Sequence, residues 1–428
     1  MNNQAIIAKV DEIIEIPGAT NVVAAKVLGE ICVVSKDTKI GDVGILMPDG
    51  LQLSEEYCRE NNLFRDKSYN KDTEKSGFFD ANRKVRAQTF LKTRSTAYFA
   101  SIDSVAYAGK LDTTIGYTFD KIGDKEICRK YYSKETLERI AKGVKSKQPK
   151  KDFSPDFAKH VDTEQFLHNI SNIKKGSLVH IHSKRHGSSF RVGRVKVAQE
   201  LNKFQKFVNK VSKREIFPEY KMDYVVGTRN VILQSSDKEG FHGSEAFRFE
   251  VLESIKPHIV DNMLIFGEIV GFVNGKPIMA PVQRSKLKNK EFNSVYPENI
   301  VYSYGCKPHE YKFFVYRVAM VQADGSLIDF SQAQLESWCD ARNIAKTLNL
   351  IGPFVFDGNH RDLQDLVVKL GEREDQKCAD PTDPSHLHEG CVVRIESGTM
   401  IPKFYKYKTF WFKVGEGLAE NVDTEDSV

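Results

Sequence analysis

The sequence predicts an α+β fold in which a small β domain precedes a larger domain of mixed strands and helices. In the first part of the chain, short β-rich runs alternate with turn residues at a spacing typical of a compact barrel. These runs are Ala5–Val10, Asn21–Leu28, Ile31–Val34 and Val43–Met47. Later, strand-like alternation mixes with amphipathic stretches of helical spacing. A chain of 428 residues has room for two or three domains with cores of their own.

A basic tract between these parts predicts a linker. Ser133–Ala141 begins with a capping-box-like pattern and predicts a helix. Lys142–Lys151 is basic and poor in hydrophobic residues, which predicts a mobile hinge. We therefore place the N-terminal domain at residues 1–130, the linker at 131–160 and the second domain at 161–428.

The composition is that of a globular protein with 40% hydrophobic residues and a net charge of +5. This mild excess of positive charge permits a polyphosphate or nucleic-acid partner but does not establish one. Seven scattered cysteines without a Cys-x-x-Cys pair favour reduced thiols and argue against structural zinc. There is no signal-like segment and no membrane-length apolar run. We expect a cytoplasmic protein with no membrane partner and no obligate protein partner.

Lys184 is the most informative single residue. It ends a predicted strand, Ser177–Lys184, in which it shares a face with His180 and His182. Gly187 follows, and we expect it to let the chain turn tightly under a bound ligand. A lysine, two residues and a glycine also occur often in ordinary solvated turns, so the pattern alone is weak.

Four further segments follow Lys184 in a fixed order. Glu268 lies in the apolar strand-like run Asn262–Gly271, where a carboxylate is costly without a partner. Lys406 and Lys408 are two residues apart and share one face of a strand that we expect to continue through Phe410–Phe412. The four segments are Phe266–Glu268, Phe313–Tyr316, Glu389–Arg394 and Lys406–Lys408.

Together with Lys184, these segments resemble motifs I, III, IIIa, IV and V of the ATP-dependent RNA ligases, which are covalent nucleotidyltransferases. Ile14–Ala19 and the stretch around Val43 resemble the branch with an N-terminal OB-fold domain. The resemblance implies an OB-like β-barrel followed by a nucleotidyltransferase (ATP-grasp-like ligase) domain of antiparallel sheets and helices. DNA ligases and capping enzymes carry an OB domain after motif V, and only Thr409–Val428 follow it here. The tract Ser54–Asn82 is the least explained.

The resemblance also implies the roles of individual residues. Lys184 becomes the nucleophile that is adenylylated by ATP, and Lys406 and Lys408 offset the charge on the reacting phosphate. Glu268 binds the ribose, and Glu389 helps to hold Mg²⁺ or Mn²⁺.

One aromatic residue of Phe313–Tyr316 is expected to stack on adenine. Tyr316 is favoured over Phe314, although core packing is the alternative for both. Arg229 matches the motif Ia arginine, which contacts the ribose or the 5′-phosphate end of the RNA. Arg191 is a further candidate for a phosphate contact.

The implied function is ATP-dependent joining of an RNA 3′-hydroxyl to a 5′-phosphate, through lysyl-AMP and an adenylylated 5′ end, in RNA repair. Ser183 stands where RNA ligases commonly have Glu, which weakens the case for ATP over GTP. Arg317 replaces an acidic residue that often follows motif IIIa. The alternatives are a DNA ligase, a GTP-dependent capping-type nucleotidyltransferase, and a catalytically inactive RNA-binding protein of the same fold.

Several local elements are also predicted. The run Arg83–Leu91 predicts a basic strand, and Thr163–Leu167 predicts a short helix. Gln332–Leu350 carries apolar residues at helical spacing, and a second amphipathic helix is expected at Asp362–Leu370.

Overall fold

The computed structural model describes residues 4–132, 137, 153–161, 163–212, 216–236, 239–240 and 243–418. These residues divide into two compact units. The first contains residues 4–132, 164–172 and 407–418, and the second contains the described residues between 137 and 163 and between 173 and 406. Apart from Leu137, the helix and hinge predicted for the linker lie outside the described residues. The predicted domain bounds stay predictions.

The first unit consists mainly of short antiparallel strands. They are β1 Ala5–Lys9, β2 Glu12–Ile14, β3 Val22–Val27, β4 Glu30–Ser35, β5 Val43–Pro48, β6 Leu51–Leu53, β7 Gln88–Phe90, β8 Thr93–Ser95, β9 Ala97–Ser101, β10 Thr118–Phe119, β11 Lys121–Ile122, β12 Lys125–Glu126, β13 Cys128–Lys130 and β14 Glu164–Gln165. One sheet has the order β10-β1-β5-β9 and another the order β2-β3-β4. Two-stranded pairs form between β6 and β13, β7 and β8, and β11 and β12. A β-rich first unit is therefore confirmed, whereas closure into an OB-like barrel stays a prediction.

The helices of the first unit are few and short. The α-helices are α1 Glu55–Glu60, α2 Phe166–Asn169 and α7 Phe410–Leu418, and the 3₁₀ turns are Lys67–Tyr69, Ile102–Ala108 and Ile170–Asn172. The side chains of Phe410, Trp411 and Phe412 are buried at the start of α7. The apolar character of this run is therefore explained by burial within the first unit.

The second unit contains two larger antiparallel sheets. Its strands are β15 Leu178–Ser183, β16 Ser188–Ala198, β17 Tyr220–Gly227, β18 Ile232–Leu233, β19 Glu239–Gly240, β20 Gly243–Ser244, β21 Met263–Val273, β22 Lys276–Pro277, β23 Val282–Gln283, β24 Asn299–Ile300, β25 Tyr311–Val321, β26 Leu327–Asp329, β27 Asn349–Val355, β28 Gly390–Glu396 and β29 Lys403–Lys408. The larger sheet has the order β18-β17-β16-β21-β25-β26, with β22 added to β21. The smaller contains β29-β28-β15-β27. The division between the units falls after Lys406, so Lys408 is described with the first unit.

Helices flank these sheets in the second unit. They are α3 Lys203–Ser212, α4 Ala246–Ile255, α5 Gln332–Asp340 and α6 His360–Glu372, and the 3₁₀ turns are Lys256–His258, Arg284–Leu287, Lys290–Ser294 and Glu374–Gln376. The predicted α+β class with antiparallel sheets is confirmed. No helix among the described residues is long and apolar enough to cross a membrane.

Two predicted elements differ from the structure, each for its own reason. The helix expected over Gln332–Leu350 ends at Asp340. Beyond it, the Val315 N–H donates to the Ala345 carbonyl (2.9 Å) and the Thr347 N–H donates to the Val315 carbonyl (3.0 Å). Since β25 takes these backbone groups, the helix cannot continue. The strand expected to extend through Phe410–Phe412 is the first turn of α7, because a short apolar run fits a strand and a buried helix equally well.

Two shorter predictions also need correction. In Arg83–Leu91 only Gln88–Phe90 forms a strand, whereas Arg83 has a positive φ of 55° and Lys84 forms an isolated bridge with Gln52. In Thr163–Leu167 a two-residue strand comes first, and α2 begins at Phe166.

A buried charge cluster stabilises the first unit. Lys413 of α7 is 6% exposed, and its amine lies 3.3 Å from the Glu30 carboxylate and 3.2 Å from that of Asp49. Burial by itself raises the pKa of Glu30, but the charges of Lys413 and His168 outweigh it and lower that pKa to about 2. Because the folded pKa is lowered, Glu30 stabilises the fold above its unfolded pKa of about 4.5, and this contribution is lost as the pH falls toward 2.

We predict that Lys413→Met lowers the free energy of unfolding by about 3–5 kcal/mol, because it leaves the buried Glu30 and the half-buried Asp49 without this cation. Glu30→Gln should cost less, since Lys413 keeps Asp49. Urea unfolding of both variants, with the exposed Lys39→Met as control, measures the difference. A cost for Lys413→Met no larger than that of the control, which we expect within about 0.5 kcal/mol of zero, contradicts the assignment.

Candidate active site

The chain segment that carries Lys184 crosses from the smaller sheet of the second unit to the larger one. β15 ends at Ser183, and the Lys184 N–H donates to the Gly390 carbonyl of β28 (2.8 Å). β16 begins at Ser188. A Cβ atom on Gly187 would lie 2.4 Å from the Ile269 carbonyl oxygen, so only glycine permits this close approach to β21.

The Lys184 amine is paired with the carboxylate of Glu389. Their Nζ and Oε1 atoms are 2.8 Å apart, and the Glu389 side chain is 2% exposed against 24% for Lys184. Glu389 directly precedes β28, which pairs with β15 up to Ser183 opposite Cys391. Strand pairing therefore brings together two residues that are 205 positions apart, the predicted nucleophile and the predicted metal ligand.

Arg185, which sequence analysis did not select, anchors the same turn. Its side chain is buried, and its Nη1 donates to Thr382 Oγ1 (2.5 Å) and lies 3.4 Å from Asp380 Oδ1. Its guanidinium lies over the rings of Tyr304 (4.9 Å) and Phe314 (4.8 Å). Such contacts combine an ion pair with cation–π packing. They fix the backbone directly after Lys184.

Tyr304 holds the next residue of the turn. Its hydroxyl accepts a hydrogen bond from the His186 N–H (2.7 Å), and the His186 ring packs edge-on against Tyr302. Burial raises the pKa of Tyr304, which keeps the hydroxyl neutral. The turn from Lys184 to Gly187 is thus held at each residue by a different contact.

Glu268 and Phe314 lie on one face of the larger sheet. Ser189, Glu268 and Phe314 are direct cross-strand partners on β16, β21 and β25, so their side chains point the same way. Glu268 is half-buried. The Cγ of Glu268 would be 2.9 Å from a Cβ at Gly187, which places this carboxylate next to the Lys184 turn.

Tyr316 is the extra residue of β25 at a bulge in the pairing of β21 with β25, between Val315 and Arg317. Burial raises its pKa, the Glu268 charge adds to the rise, and Ser189 and Arg229 oppose it. Tyr316 therefore lies close to Glu268 and Arg229. Its hydroxyl is 3.3 Å from Nδ1 of His160, whereas Phe314 packs on Arg185, so the two aromatic residues have different neighbours.

The expectation that Arg191 contacts phosphate is corrected by its surroundings. The side chain is 2% exposed, and its Nε donates to the Thr228 carbonyl (2.7 Å). Its Nη1 donates to the carbonyls of Phe157 (3.1 Å) and Ala158 (2.6 Å). Burial lowers the pKa of Arg191 to about 10. Arg191 thus connects chain segments inside the unit.

The two predicted basic residues of β29 alternate with buried tyrosines, as a shared face requires. Lys406 and Lys408 are half-buried, while Tyr405 and Tyr407 are buried. Lys406 is two strands away from β15, or about 10 Å at the usual strand spacing. In the first unit, the Lys408 amine lies 2.7 Å from the Glu416 carboxylate.

Buried polar atoms line the face of β15 that leads to Lys184. His182 and Asn349 are cross-strand partners, and so are His180 and Arg394. His182 Nε2, Asn349 Oδ1 and Arg394 Nη1 have no hydrogen-bond partner among the described residues. Burial lowers the pKa of His182 to about 3, so this ring is neutral at physiological pH. Buried polar groups are normally paired, which suggests that this surface receives a polar ligand or water.

Among the described residues, no group of three or more His, Cys, Asp or Glu side chains could hold a metal ion by itself. Glu389 is the carboxylate in contact with Lys184. Mg²⁺ is commonly held by one or two carboxylates together with water and substrate phosphates, so this donor fits such an ion.

Comparison with known proteins gives matches in three-dimensional structure. No protein-family model and no curated protein sequence matches the chain. An RNA ligase of Naegleria gruberi with pyrophosphate is 16% identical, with a TM-score of 0.56 over 96% of this chain and 97% of that chain. A mutant of this ligase with ATP and Mn is 16% identical, with a TM-score of 0.58 over 95% and 96%. A mutant without ligand is 15% identical, with a TM-score of 0.57 over 98% and 100%.

The likeness extends over nearly the whole of both chains, so it includes the β-rich first unit as well as the two-sheet second unit. The fold class that the sequence motifs implied is therefore confirmed. This chain has the fold of an RNA ligase.

Proposed function

We propose that this protein is an ATP-dependent RNA ligase that joins a 3′-hydroxyl to a 5′-phosphate. Lys184 is the nucleophile that carries AMP, and the AMP then passes to the RNA 5′-phosphate. The observation that carries the proposal is the contact between Lys184 and Glu389: the Lys184 side chain is 24% exposed, and its amine lies 2.8 Å from the buried Glu389 carboxylate. Arg185 fixes the turn in which this contact forms. In a chain with the fold of an RNA ligase, this places one reactive amine at the edge of two sheets.

The first step requires a neutral amine. A lysine amine is protonated in water at neutral pH and attacks phosphorus only after losing its proton. Glu389, in direct contact with Nζ, is the group positioned to accept that proton. A new N–P bond then forms at the α-phosphate as the bond to pyrophosphate breaks, and pyrophosphate leaves with the bonding electrons.

A divalent cation, Mg²⁺ or Mn²⁺, is expected at Glu389 with the ATP phosphates. When bound, it supplies positive charge that offsets the charge of the reacting phosphate. The same carboxylate now holds the Lys184 ammonium.

The surroundings of Lys184 suit a nucleotide. Glu268 is half-buried beside the turn and can accept hydrogen bonds from ribose hydroxyls, and Tyr316 and Arg229 lie near it. Asn349 Oδ1 could accept a hydrogen bond from a base edge, and His182 Nε2 could donate or accept one according to its tautomer. Structures of similar fold contain ATP with Mn, AMP with Mn, or pyrophosphate. ATP is the reactant and pyrophosphate a product of the proposed first step, and AMP is released in the proposed last step.

The following steps define the partner and the products. The 5′-phosphate of RNA attacks lysyl-AMP and takes the AMP, which restores the Lys184 amine. The RNA 3′-hydroxyl then attacks the activated phosphate, forms the phosphodiester and releases AMP. We propose that RNA with broken or nicked ends is the substrate and that the role is RNA repair in the cytoplasm. Lys406 and Lys408 would contribute positive charge to the phosphates.

Covalent label transfer tests the first step. With ATP labelled on the α-phosphate and Mg²⁺ or Mn²⁺, the protein should retain label through denaturation. Lys184→Ala should lose it entirely, because the proposed nucleophile is removed, whereas Lys196→Ala should retain it. GTP should give no label. Labelling by GTP would indicate a capping-type enzyme, and no label with either nucleotide would leave the inactive RNA-binding alternative.

Sealing of nicked duplexes tests the polynucleotide. We expect joining when the strand with the 3′-hydroxyl is RNA, and at least tenfold slower joining when both sides of the nick are DNA. Substrates that differ only in the sugar at each side of the nick measure this in one series. Equal or faster sealing of all-DNA nicks would favour the DNA ligase alternative.

We also predict that Arg185→Gln and Asp380→Asn slow formation of lysyl-AMP at least tenfold. Arg185 is a positioning residue, because its buried contacts orient the backbone of Lys184. The rate at saturating ATP should fall more than the ATP concentration for half-saturation rises. Asp329→Asn is the control, since it breaks a buried ion pair with Arg317 (2.6 Å) in the same unit. Equal loss of rate in the control and the test variants would mean a general loss of stability instead.

A further inference from the structure

Helix α3 turns its most apolar side chains toward solvent. Phe204, Phe207 and Val211 are 69%, 63% and 63% exposed. A surface helix ordinarily buries such a stripe against the core. We name these three residues, together with Lys203, Lys206 and Lys210, the α3 face.

The inner side of α3 holds the helix in this orientation. The Asn209 side chain donates to the Phe217 carbonyl (2.7 Å) and accepts from the N–H groups of Ile216 (3.0 Å) and Phe217 (2.9 Å). At the N-terminal end, Asn202 and Gln205 each accept a hydrogen bond from the other's backbone N–H, at 2.9 and 2.8 Å. These bonds define the start of α3 and its connection to the segment at Ile216 and Phe217, on the side of the helix away from the phenylalanines.

The exposed side of α3 is also basic. Lys203, Lys206 and Lys210 are exposed, and the sequence of the helix contains no Asp or Glu. At 100° per residue, the three lysines form a stripe directly beside the stripe of Phe204, Phe207 and Val211. A partner that binds this side of α3 would therefore contact lysine amines and apolar side chains at the same time.

We propose that the α3 face binds the RNA strand of the substrate, a proposal that rests on the proposed ligase function. Lysine amines neutralise phosphates, and exposed aromatic rings stack on bases. A membrane-surface helix instead separates a charged face from a broad apolar face that enters the lipid. In α3 the lysines lie beside three apolar side chains, and the opposite side is uncharged, which fits a nucleic acid better.

The position of α3 defines which part of the RNA it contacts. β16 leads away from the Lys184 turn for eleven residues before α3, which corresponds to about 35 Å along an extended strand. Contact at α3 therefore requires RNA that extends about 30 Å from the break. Variants of the α3 face should leave the reaction of Lys184 with ATP unchanged.

Fluorescence anisotropy with labelled RNA duplexes that carry a nick measures the contact, with duplex arms of about 6 or 20 base pairs on each side. We expect Phe204→Ala/Phe207→Ala to weaken binding of the long duplex at least fivefold and to change binding of the short duplex less than twofold. Lys203→Gln/Lys206→Gln/Lys210→Gln should reduce the slope of log affinity against log salt by about 2–3. Lys286→Gln/Lys288→Gln/Lys290→Gln removes the same charge from another surface of the unit and should change the slope less.

Unchanged affinity for the long duplex in both α3 variants would overturn the inference. So would variants that keep RNA affinity but lose binding to phosphatidylserine vesicles, or that change the oligomeric state in sedimentation, because these outcomes assign the face to lipid or to a second copy. Label transfer from ATP is measured on the same proteins. Failure of the wild-type protein to label refutes the ligase proposal, whereas normal labelling with unchanged RNA binding refutes only the assignment of α3.

Discussion

The contact between Lys184 and Glu389 is the constraint on which the site depends. A carboxylate that is 2% exposed is costly to bury, and the lysine amine at 2.8 Å is a positive charge that helps to offset this cost. The same pair fixes the amine at the end of β15, between the two sheets of the second unit. Any group that displaces the carboxylate from this contact would also leave the amine without this partner.

The turn that follows Lys184 is held by contacts that fix the position of the Lys184 amine. Arg185 is held by Asp380 and Thr382 and packed between two rings, and His186 is bonded through its backbone to Tyr304. Gly187 has no room for a side chain. A short connection between two sheets is normally among the more mobile parts of a chain. Here every residue of it has a specific partner, which keeps the amine in one place.

In the first unit, a cluster of paired charges stabilises the packing of α7. Lys413, Glu30 and Asp49 form a buried cluster that attaches α7 to its β-sheets. The chain enters α7 directly from β29, the strand that carries Lys406 and Lys408. The basic pair is therefore anchored at its C-terminal end by a helix whose own lysine is buried.

The sequence by itself determined much of this protein. Alternation and apolar runs predicted β1, β3, β15 and β21 closely, because strands with one or two buried faces leave a local pattern. The motifs that contain Lys184 and Glu389 selected two residues that the fold brings into contact, whereas the roles assigned to the motif residues stay predictions. The fold class followed from these motifs, since each motif has a fixed place in that fold.

Only the tertiary structure decided the rest. No local pattern marks Arg185 or Asp380, because their interaction joins residues 195 positions apart. Arg191 is basic and adjacent to the motif, yet burial turns its donors toward backbone carbonyls. The helix after Gln332 ends early because β25 captures the backbone of Ala345 and Thr347. Local sequence specifies periodicity and charge, whereas the partner of each buried polar group depends on chain segments that meet only after folding.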